Sequence, residues 1–179
     1  MSTPRKQPRY KLTKNKYLLP SEVSPFEKRL RLNITDRDAL LILTALHTGA
    51  RAQELLNITP DDLIEDSQAI YIHGLKGSDD REIPVPTWLW NALKKYMREN
   101  PTDRVFPITY PRLVQIWNHW RPVEKTFHSL RHTFAIRLYL KCKEIMLVKT
   151  ALGHRSITNT MIYADYQYST EYLRKHLIG

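Results

Sequence analysis

The sequence has only one cysteine and no long apolar run. A lone cysteine, Cys142, excludes an internal disulfide and a zinc site built from several thiolates, and we interpret it as a thiol in the core or on a helix face. No stretch approaches the roughly 20 apolar residues that a membrane-spanning helix requires. The N-terminus is basic but lacks the apolar run of a signal peptide. We therefore expect a cytoplasmic protein that does not contact a membrane.

Acidic residues are also in deficit. The chain has 28 Lys and Arg against 18 Asp and Glu, which gives a formal net charge of +10 at pH 7. Such a surplus favours a polyanionic partner, and on charge alone it fits nucleic acid, an acidic membrane surface or a contribution to solubility. The length of 179 residues, with 42% hydrophobic residues, suffices for one folded domain with its own core.

Helical spacing of apolar residues dominates the chain. It predicts a helix over about residues 36–48, with Thr35 and Asp38 as its capping pair and Gly49 at its end. A short helix before Pro60 and a β-hairpin over residues 68–86 follow. Further helical patterns cover residues 87–100, 110–120, 127–141, 144–154, 156–166 and 170–178. The pattern predicts an α+β fold that is mostly helical, with one small antiparallel β-sheet.

The segment HSLRHTF at residues 128–134 carries a polar face. His128, Arg131 and His132 lie at positions i, i+3 and i+4, so a helix projects them to one side. Two histidines four residues apart can bind zinc, but the metalloprotease form of the pattern has Glu where Ser129 stands here. Taken alone, this face is also typical of a helix cap next to a surface arginine.

Other polar residues complete a set that suits phosphodiester transfer. Two guanidinium groups can clamp the non-bridging oxygens of a pentacoordinate phosphorus with paired hydrogen bonds. A tyrosine can act as the nucleophile, and a Lys or His can protonate the leaving oxygen. No cluster of carboxylates is present to hold Mg²⁺, so we expect a reaction without metal or cofactor. The set comprises Arg51, His128, Arg131, His154, Lys76 and a downstream tyrosine.

Three segments resemble the active-site boxes of the tyrosine recombinases, or phage integrase family. They are TGARAQEL at 48–55, HSLRHTFA at 128–135 and LGHRSITNTMIYA at 152–164. Their order and spacing match the family over about residues 20–179, and Tyr163 lies nine positions after His154. We call the three segments box I, box II and box III.

The resemblance implies a role for each residue of the set. Arg51 and Arg131 would bind the scissile phosphate, with His128 and His154 as hydrogen-bonding and proton-transfer groups. Lys76 in the hairpin would protonate the leaving 5′ oxygen, with Arg81 as the alternative. Tyr163 would attack phosphorus and form a 3′-phosphotyrosyl link. Glu54 and His132 resemble supporting positions that brace the arginine and box II, whereas Tyr166, Tyr168 and Tyr172 lack the offset of a nucleophile.

The resemblance also implies a site-specific recombinase or integrase of a bacterial cell, phage or mobile element. Such an enzyme cuts and rejoins double-stranded DNA without ATP, acting as a homo-oligomer that is a tetramer in the synapse. Two alternatives are a type IB topoisomerase, which shares this chemistry, and a DNA-binding module whose catalysis has lapsed. The intact set of polar residues argues against the lapsed module.

Family members usually carry a further N-terminal domain that closes around DNA, whereas only about thirty residues precede Thr35 here. We predict a flexible basic arm over residues 1–19 and a catalytic domain over residues 20–179, with no separate core-binding domain. The chain would then be either the catalytic part of a longer integrase or a short recombinase.

Overall fold

The computed structural model describes residues 12–75, 77–165, 174, 177 and 178. Its helices are α1 (Pro20–Leu32), α2 (Arg37–Thr48), α3 (Ala52–Leu56), α4 (Thr87–Glu99), α5 (Tyr110–Trp120), α6 (Ser129–Cys142), α7 (Ile145–Leu152) and α8 (Thr158–Asp165). Short 3₁₀ turns lie at Lys14–Lys16 and Pro60–Asp62. Among the described residues, no helix has the length and apolar character needed to cross a membrane.

One antiparallel sheet interrupts the helices. Strands β1 (Leu63–Ile64), β2 (Ala69–Ile72) and β3 (Arg81–Pro84) are ordered β1-β2-β3, and Ile70 pairs with Ile83. The predicted mostly helical α+β fold and its hairpin are therefore confirmed. So are the helices predicted within residues 36–166, while most of the segment 170–178 lies outside the described residues.

Helix α2 forms the centre of the core. Four consecutive residues, Leu40 to Leu43, are at most 1% exposed because α1, α4 and α6 pack around this helix. Its N-cap is Asp36, so the predicted capping pair of Thr35 and Asp38 is wrong. The Asp36 carboxylate accepts hydrogen bonds from the Asp38 and Ala39 amides at 2.8 and 3.0 Å, which satisfies amides that have no partner within the helix.

The end of α2 lies directly against α6. Gly49 ends α2 with φ of +63°, and a Cβ atom there would lie 2.4 Å from the ring of Phe134. Only glycine permits this left-handed turn and close approach together. The chain therefore leaves α2 beside α6, which brings box I close to box II.

A second cluster of buried residues joins α6, α7 and α8 near the N-terminal segment. Its members are Tyr17, Ala135, Ile136, Tyr139, Val148, Leu152 and Tyr163. Tyr17 and Leu18 are buried, and the Leu18 amide donates a hydrogen bond to Thr133 Oγ1 at 2.8 Å. These two residues therefore pack with the domain, although they belong to the segment predicted as a flexible arm. Residues 1–11 of that segment lie outside the described residues.

Candidate active site

Box I places Arg51 at the start of α3, where Glu54 holds it twice. The Glu54 carboxylate accepts hydrogen bonds from the Arg51 backbone amide at 2.8 Å and from its guanidinium at 2.9 Å. The Glu54 side chain is fully buried, whereas that of Arg51 is 35% exposed. The predicted bracing of Arg51 by Glu54 thus has a geometric basis, and it leaves the guanidinium accessible from solvent.

Glu54 lies among three guanidinium groups. Its Oε2 atom accepts a hydrogen bond from Arg81 at 2.7 Å and lies 3.7 Å from Arg131 Nη1. Burial alone would raise the pKa of Glu54, but hydrogen bonds from Arg81 and the Arg51 amide and the nearby positive charges lower the pKa to about 2. One carboxylate among three guanidinium groups leaves this cluster with a net positive charge.

Arg131 of box II connects the other two boxes. Its Nη1 atom donates to the Gly49 carbonyl of box I, and its Nη2 atom donates to the Leu152 carbonyl of box III, both at 2.7 Å. The residue is only 2% exposed. Burial and the charges of Arg51 and Arg81 lower its pKa to about 9, so the guanidinium remains charged at neutral pH.

The histidines of boxes II and III are neutral at pH 7. Burial, together with the charges of Arg131 and Arg51, lowers the pKa values of His128 and His154 to about 4. Burial also lowers the pKa of His132 to about 3. The rings of His128 and His132 lie 4.7 Å apart, and His154 Nδ1 is hydrogen-bonded to Thr160 Oγ1 at 3.0 Å.

Tyr163 lies on α8 with its hydroxyl group against box II. Its Oη atom is hydrogen-bonded to His132 Nδ1 at 2.9 Å, and the residue is 2% exposed. Just before this helix, the Ser156 hydroxyl accepts a hydrogen bond from the Thr158 amide at 3.3 Å. The motifs predicted only a bracing role for His132 and not its contact with the tyrosine. The i, i+4 spacing from His128 was the available signal.

The β2–β3 hairpin supplies contacts that sequence analysis also missed. Arg51 donates a hydrogen bond to the hydroxyl of Ser78, and Ser78 forms a β-bridge with His154. Arg81, the alternative to Lys76 as proton donor, is 5% exposed and bound to Glu54, with its Nε atom donating to the Ala151 carbonyl at 2.9 Å. Its position on an inward-facing site of β3 was the signal for a structural role. Lys76 itself lies outside the described residues, as do Tyr166, Tyr168 and Tyr172.

An open groove of about 780 Å³ runs beside the histidines. His128 and His132 line it together with Lys16 of the N-terminal segment, Tyr110 and Asn118 of α5, and Arg121 directly after α5. Within the part of the chain that the structure describes, no three His, Cys, Asp or Glu side chains are grouped as ligands for a metal ion. Lys16, Arg121 and Lys125 outnumber Glu124 among the charged residues of the groove, and Ala50 and Ala52, on either side of Arg51 in the sequence, also line it.

The structure has the fold of a tyrosine recombinase catalytic domain. The chain belongs to the phage integrase family, whose model matches residues 18–170. It is 30% identical over 155 residues to the tyrosine recombinase XerA of Pyrococcus furiosus, a match that covers 79% of this chain and 52% of that protein. The chain thus spans about half the length of this relative.

Solved structures agree with this assignment. The site-specific recombinase XerH bound to its difH substrate, a pre-cleavage complex, has a TM-score of 0.67 and 28% identity. That match covers 86% of this chain and 50% of XerH. The catalytic domain of bacteriophage HP1 integrase has a TM-score of 0.64 and 24% identity. That match covers 90% of this chain and 94% of the HP1 domain. At that identity the HP1 match shows a shared fold only.

Proposed function

We propose that the chain is the catalytic part of a site-specific tyrosine recombinase that cuts and rejoins double-stranded DNA through a covalent phosphotyrosine. One observation carries the proposal. Three segments far apart in the sequence meet around Arg131, which contacts the backbones of boxes I and III, while the adjacent His132 contacts Tyr163. A DNA-binding module would need no such convergence of a buried arginine, neutral imidazoles and a tyrosine hydroxyl.

Arg51 and Arg131 bind the scissile phosphate in this proposal. Hydrogen bonds fix both guanidinium groups, that of Arg51 to Glu54 and that of Arg131 to two backbone carbonyls. Little reorganisation of these side chains is therefore needed when the phosphate binds. Their charges stabilise the negative charge that develops on the non-bridging oxygens. His128 and His154 donate further hydrogen bonds to these oxygens. A bound phosphate also raises the pKa of both imidazoles, since it brings negative charge close to them.

The chemical step exchanges one phosphodiester for another. The Tyr163 oxygen forms a bond to phosphorus, the bond from phosphorus to the 5′ oxygen breaks, and the 5′ oxygen takes a proton from the Lys76 ammonium group. The phenolic proton passes to His128 or His154, the neutral imidazoles whose pKa values the bound phosphate raises. Attack of a 5′ hydroxyl on the phosphotyrosine reverses the step and rejoins a strand. No ATP is required because the bond energies of the two esters are similar.

Tyr163 has to rotate for this attack, since its hydroxyl group is buried against His132. The groove beside His128 and His132 is where we place the DNA backbone. We further propose that the protein works in the cytoplasm as a homo-oligomer, and that four protomers assemble when two DNA sites are synapsed. The N-terminal basic segment adds phosphate contacts.

Capture of the covalent adduct tests the proposal. The chain is incubated with duplexes that contain a randomised segment and a nick, so that the cleaved strand loses a short fragment and cannot be rejoined. We expect an adduct that resists SDS, forms in EDTA and disappears in Tyr163→Phe. Sequencing of the trapped DNA then gives the preferred site.

Two results would contradict the proposal. If no adduct forms on any duplex, the chain is a binding module. If trapped sequences show no preference and a plasmid is relaxed at substoichiometric protein, the chain is a type IB topoisomerase.

A further inference from the structure

The loop between β2 and β3, residues 73–80, is closed by the side chain of Asp80. Its Oδ1 atom accepts a hydrogen bond from the Gly74 amide at 2.7 Å, and its Oδ2 atom accepts one from the Tyr71 hydroxyl at 3.1 Å. A backbone bond from the Ser78 amide to the Leu75 carbonyl, at 3.2 Å, closes a tighter turn within the loop. Lys76 is the residue between Leu75 and Gly77, so both closures span it in the sequence.

The two sides of the loop touch through their backbones. A Cβ atom on Gly74 would lie 2.4 Å from the Ser78 carbonyl oxygen and 2.7 Å from that of Asp79. Gly153 of box III approaches from elsewhere, and its Cβ atom would lie 2.5 Å from the Asp79 carbonyl oxygen. The Asp79 peptide therefore lies between two glycines, where side chains would not fit.

Box III and the loop are also joined by direct bonds. The Asp79 amide donates to the Gly153 carbonyl at 2.9 Å, and Arg155 pairs with the Asp79 carboxylate at 3.0 Å. The ion pair is exposed on both sides and contributes little stability by itself. The loop thus has a defined position relative to His154, and Asp80 is the side chain that ties its first residues to its last.

We propose that Asp80 is a positioning residue that holds the β2–β3 loop so that Lys76 protonates the leaving 5′ oxygen. The inference rests on the proposed function and adds a residue to it. A lysine ammonium sits on a flexible four-carbon stem, so its time near the leaving oxygen depends on where the backbone is fixed. Without the Asp80 carboxylate, the Gly74 amide loses its partner and the loop can open on the side that precedes Lys76.

The chemistry of the carboxylate agrees with this function. Hydrogen bonds from Gly74 and Tyr71 lower the pKa of Asp80, so it is ionised at neutral pH. The side chain of Asp80 is exposed and is bonded to Gly74 and Tyr71, although the next residue, Arg81, belongs to the buried Glu54 cluster. Removal of the Asp80 side chain is therefore expected to alter the loop without unfolding the domain.

A substrate that needs no general acid provides the test. The preferred sequence from the adduct capture is made as two duplexes, one natural and one with sulfur in place of the bridging 5′ oxygen. When the phosphorus–sulfur bond breaks, the sulfur leaves as a thiolate without accepting a proton. Single-turnover rates of adduct formation are measured on both duplexes for the unsubstituted chain, Asp80→Ala, Lys76→Ala and a control, Asp66→Ala, in the exposed β1–β2 turn.

We expect Asp80→Ala to slow cleavage of the natural duplex by about 10-fold to 100-fold, within the range that general acid catalysis contributes. On the sulfur duplex its rate should lie within about threefold of the unsubstituted chain. Lys76→Ala should show the same pattern with a larger loss, and Asp66→Ala should show no change on either duplex. Asp80→Asn keeps an oxygen towards the Gly74 amide, so its loss should be smaller than that of Asp80→Ala.

Two outcomes would overturn the inference alone, namely an unchanged rate in Asp80→Ala and an equal loss on both duplexes. A Lys76→Ala defect that sulfur does not rescue would overturn both this inference and the proposed role of Lys76 as the proton donor. An unsubstituted chain that forms no adduct on either duplex would instead overturn the proposed function, and this inference with it.

Discussion

Replacing Glu54 with Gln should destabilise the fold in a manner that depends on pH. The pKa of this buried carboxyl group is about 2, against an ordinary value of 4.5. At about 1.4 kcal/mol for each pKa unit, this difference corresponds to about 3 kcal/mol of folding free energy. The Glu54 side chain is 0% exposed, so solvent does not screen this interaction. Removing one partner of a buried ion pair typically costs 3–5 kcal/mol, which agrees in size.

The direction of the pH effect follows from the lowered pKa. The contribution of Glu54 is fully present above pH of about 4.5 and disappears as the pH falls towards 2, because the unfolded chain then binds the proton more readily. The difference in unfolding free energy between the unsubstituted chain and Glu54→Gln should thus be about 3 kcal/mol at pH 7 and about half of that at pH 3. The corresponding fall in melting temperature at pH 7 is roughly 6–12 °C.

Urea unfolding followed by circular dichroism measures the difference in unfolding free energy at pH 7 and at pH 3. Glu65→Gln serves as the control, because Glu65 forms an exposed ion pair with Lys94 and should change stability by less than about 1 kcal/mol. A loss below about 1 kcal/mol for Glu54→Gln at pH 7, or a larger loss that does not change between pH 7 and pH 3, would refute the argument from the arginine cluster.

Substitutions at Gly49 and His132 test other parts of the site, with Gly77 as the comparison for Gly49. Gly49→Ala should lower the free energy of unfolding by about 2 kcal/mol or more, because the new residue would have positive φ and its side chain would also collide with Phe134. Gly77→Ala, with φ of +80° and no neighbour within 4 Å, should lower it by only about 1 kcal/mol. Equal losses in urea unfolding would contradict the close approach of α2 to α6. His132 has a lowered pKa of about 3, so its contribution to stability is present above pH of about 6.5 and is lost as the pH falls towards 3. Urea unfolding of His132→Asn should therefore show a weaker fall in stability between pH 7 and pH 5, and an unchanged fall would count against burial of a neutral imidazole.

Local patterns in the sequence predicted the helices and the hairpin well. A helix and a hairpin turn are determined largely by residues that are close together in the sequence, namely the spacing of apolar residues and the turn residues around Gly77. The error at the start of α2 has a local cause, since Thr35, Asp36 and Asp38 are all good capping residues. Only the backbone geometry decides which of them reaches the free amides.

Contacts across the fold could not be predicted from the sequence in the same way. The motifs identified Arg131 and Tyr163, but not that Arg131 binds two carbonyl groups or that Tyr163 contacts His132. These contacts join residues that are brought together only by packing of α6 against α2, α7 and α8. For Arg81 the alternation along β3 predicts an inward-facing side chain, but not the buried Glu54 carboxylate that holds its charge there.

The two carbonyl partners of Arg131 belong to the C-terminal ends of helices, Gly49 at the end of α2 and Leu152 at the end of α7. Carbonyl groups at such ends have no partner within their helix and carry the negative pole of the helix dipole. A single guanidinium group therefore serves as a shared cap for two helices. The dipoles stabilise its charge inside the protein, together with Glu54, whose single carboxylate lies 3.7 Å away and is shared with Arg51 and Arg81. Arg131 thus keeps positive charge for an anion while it fixes the ends of both helices.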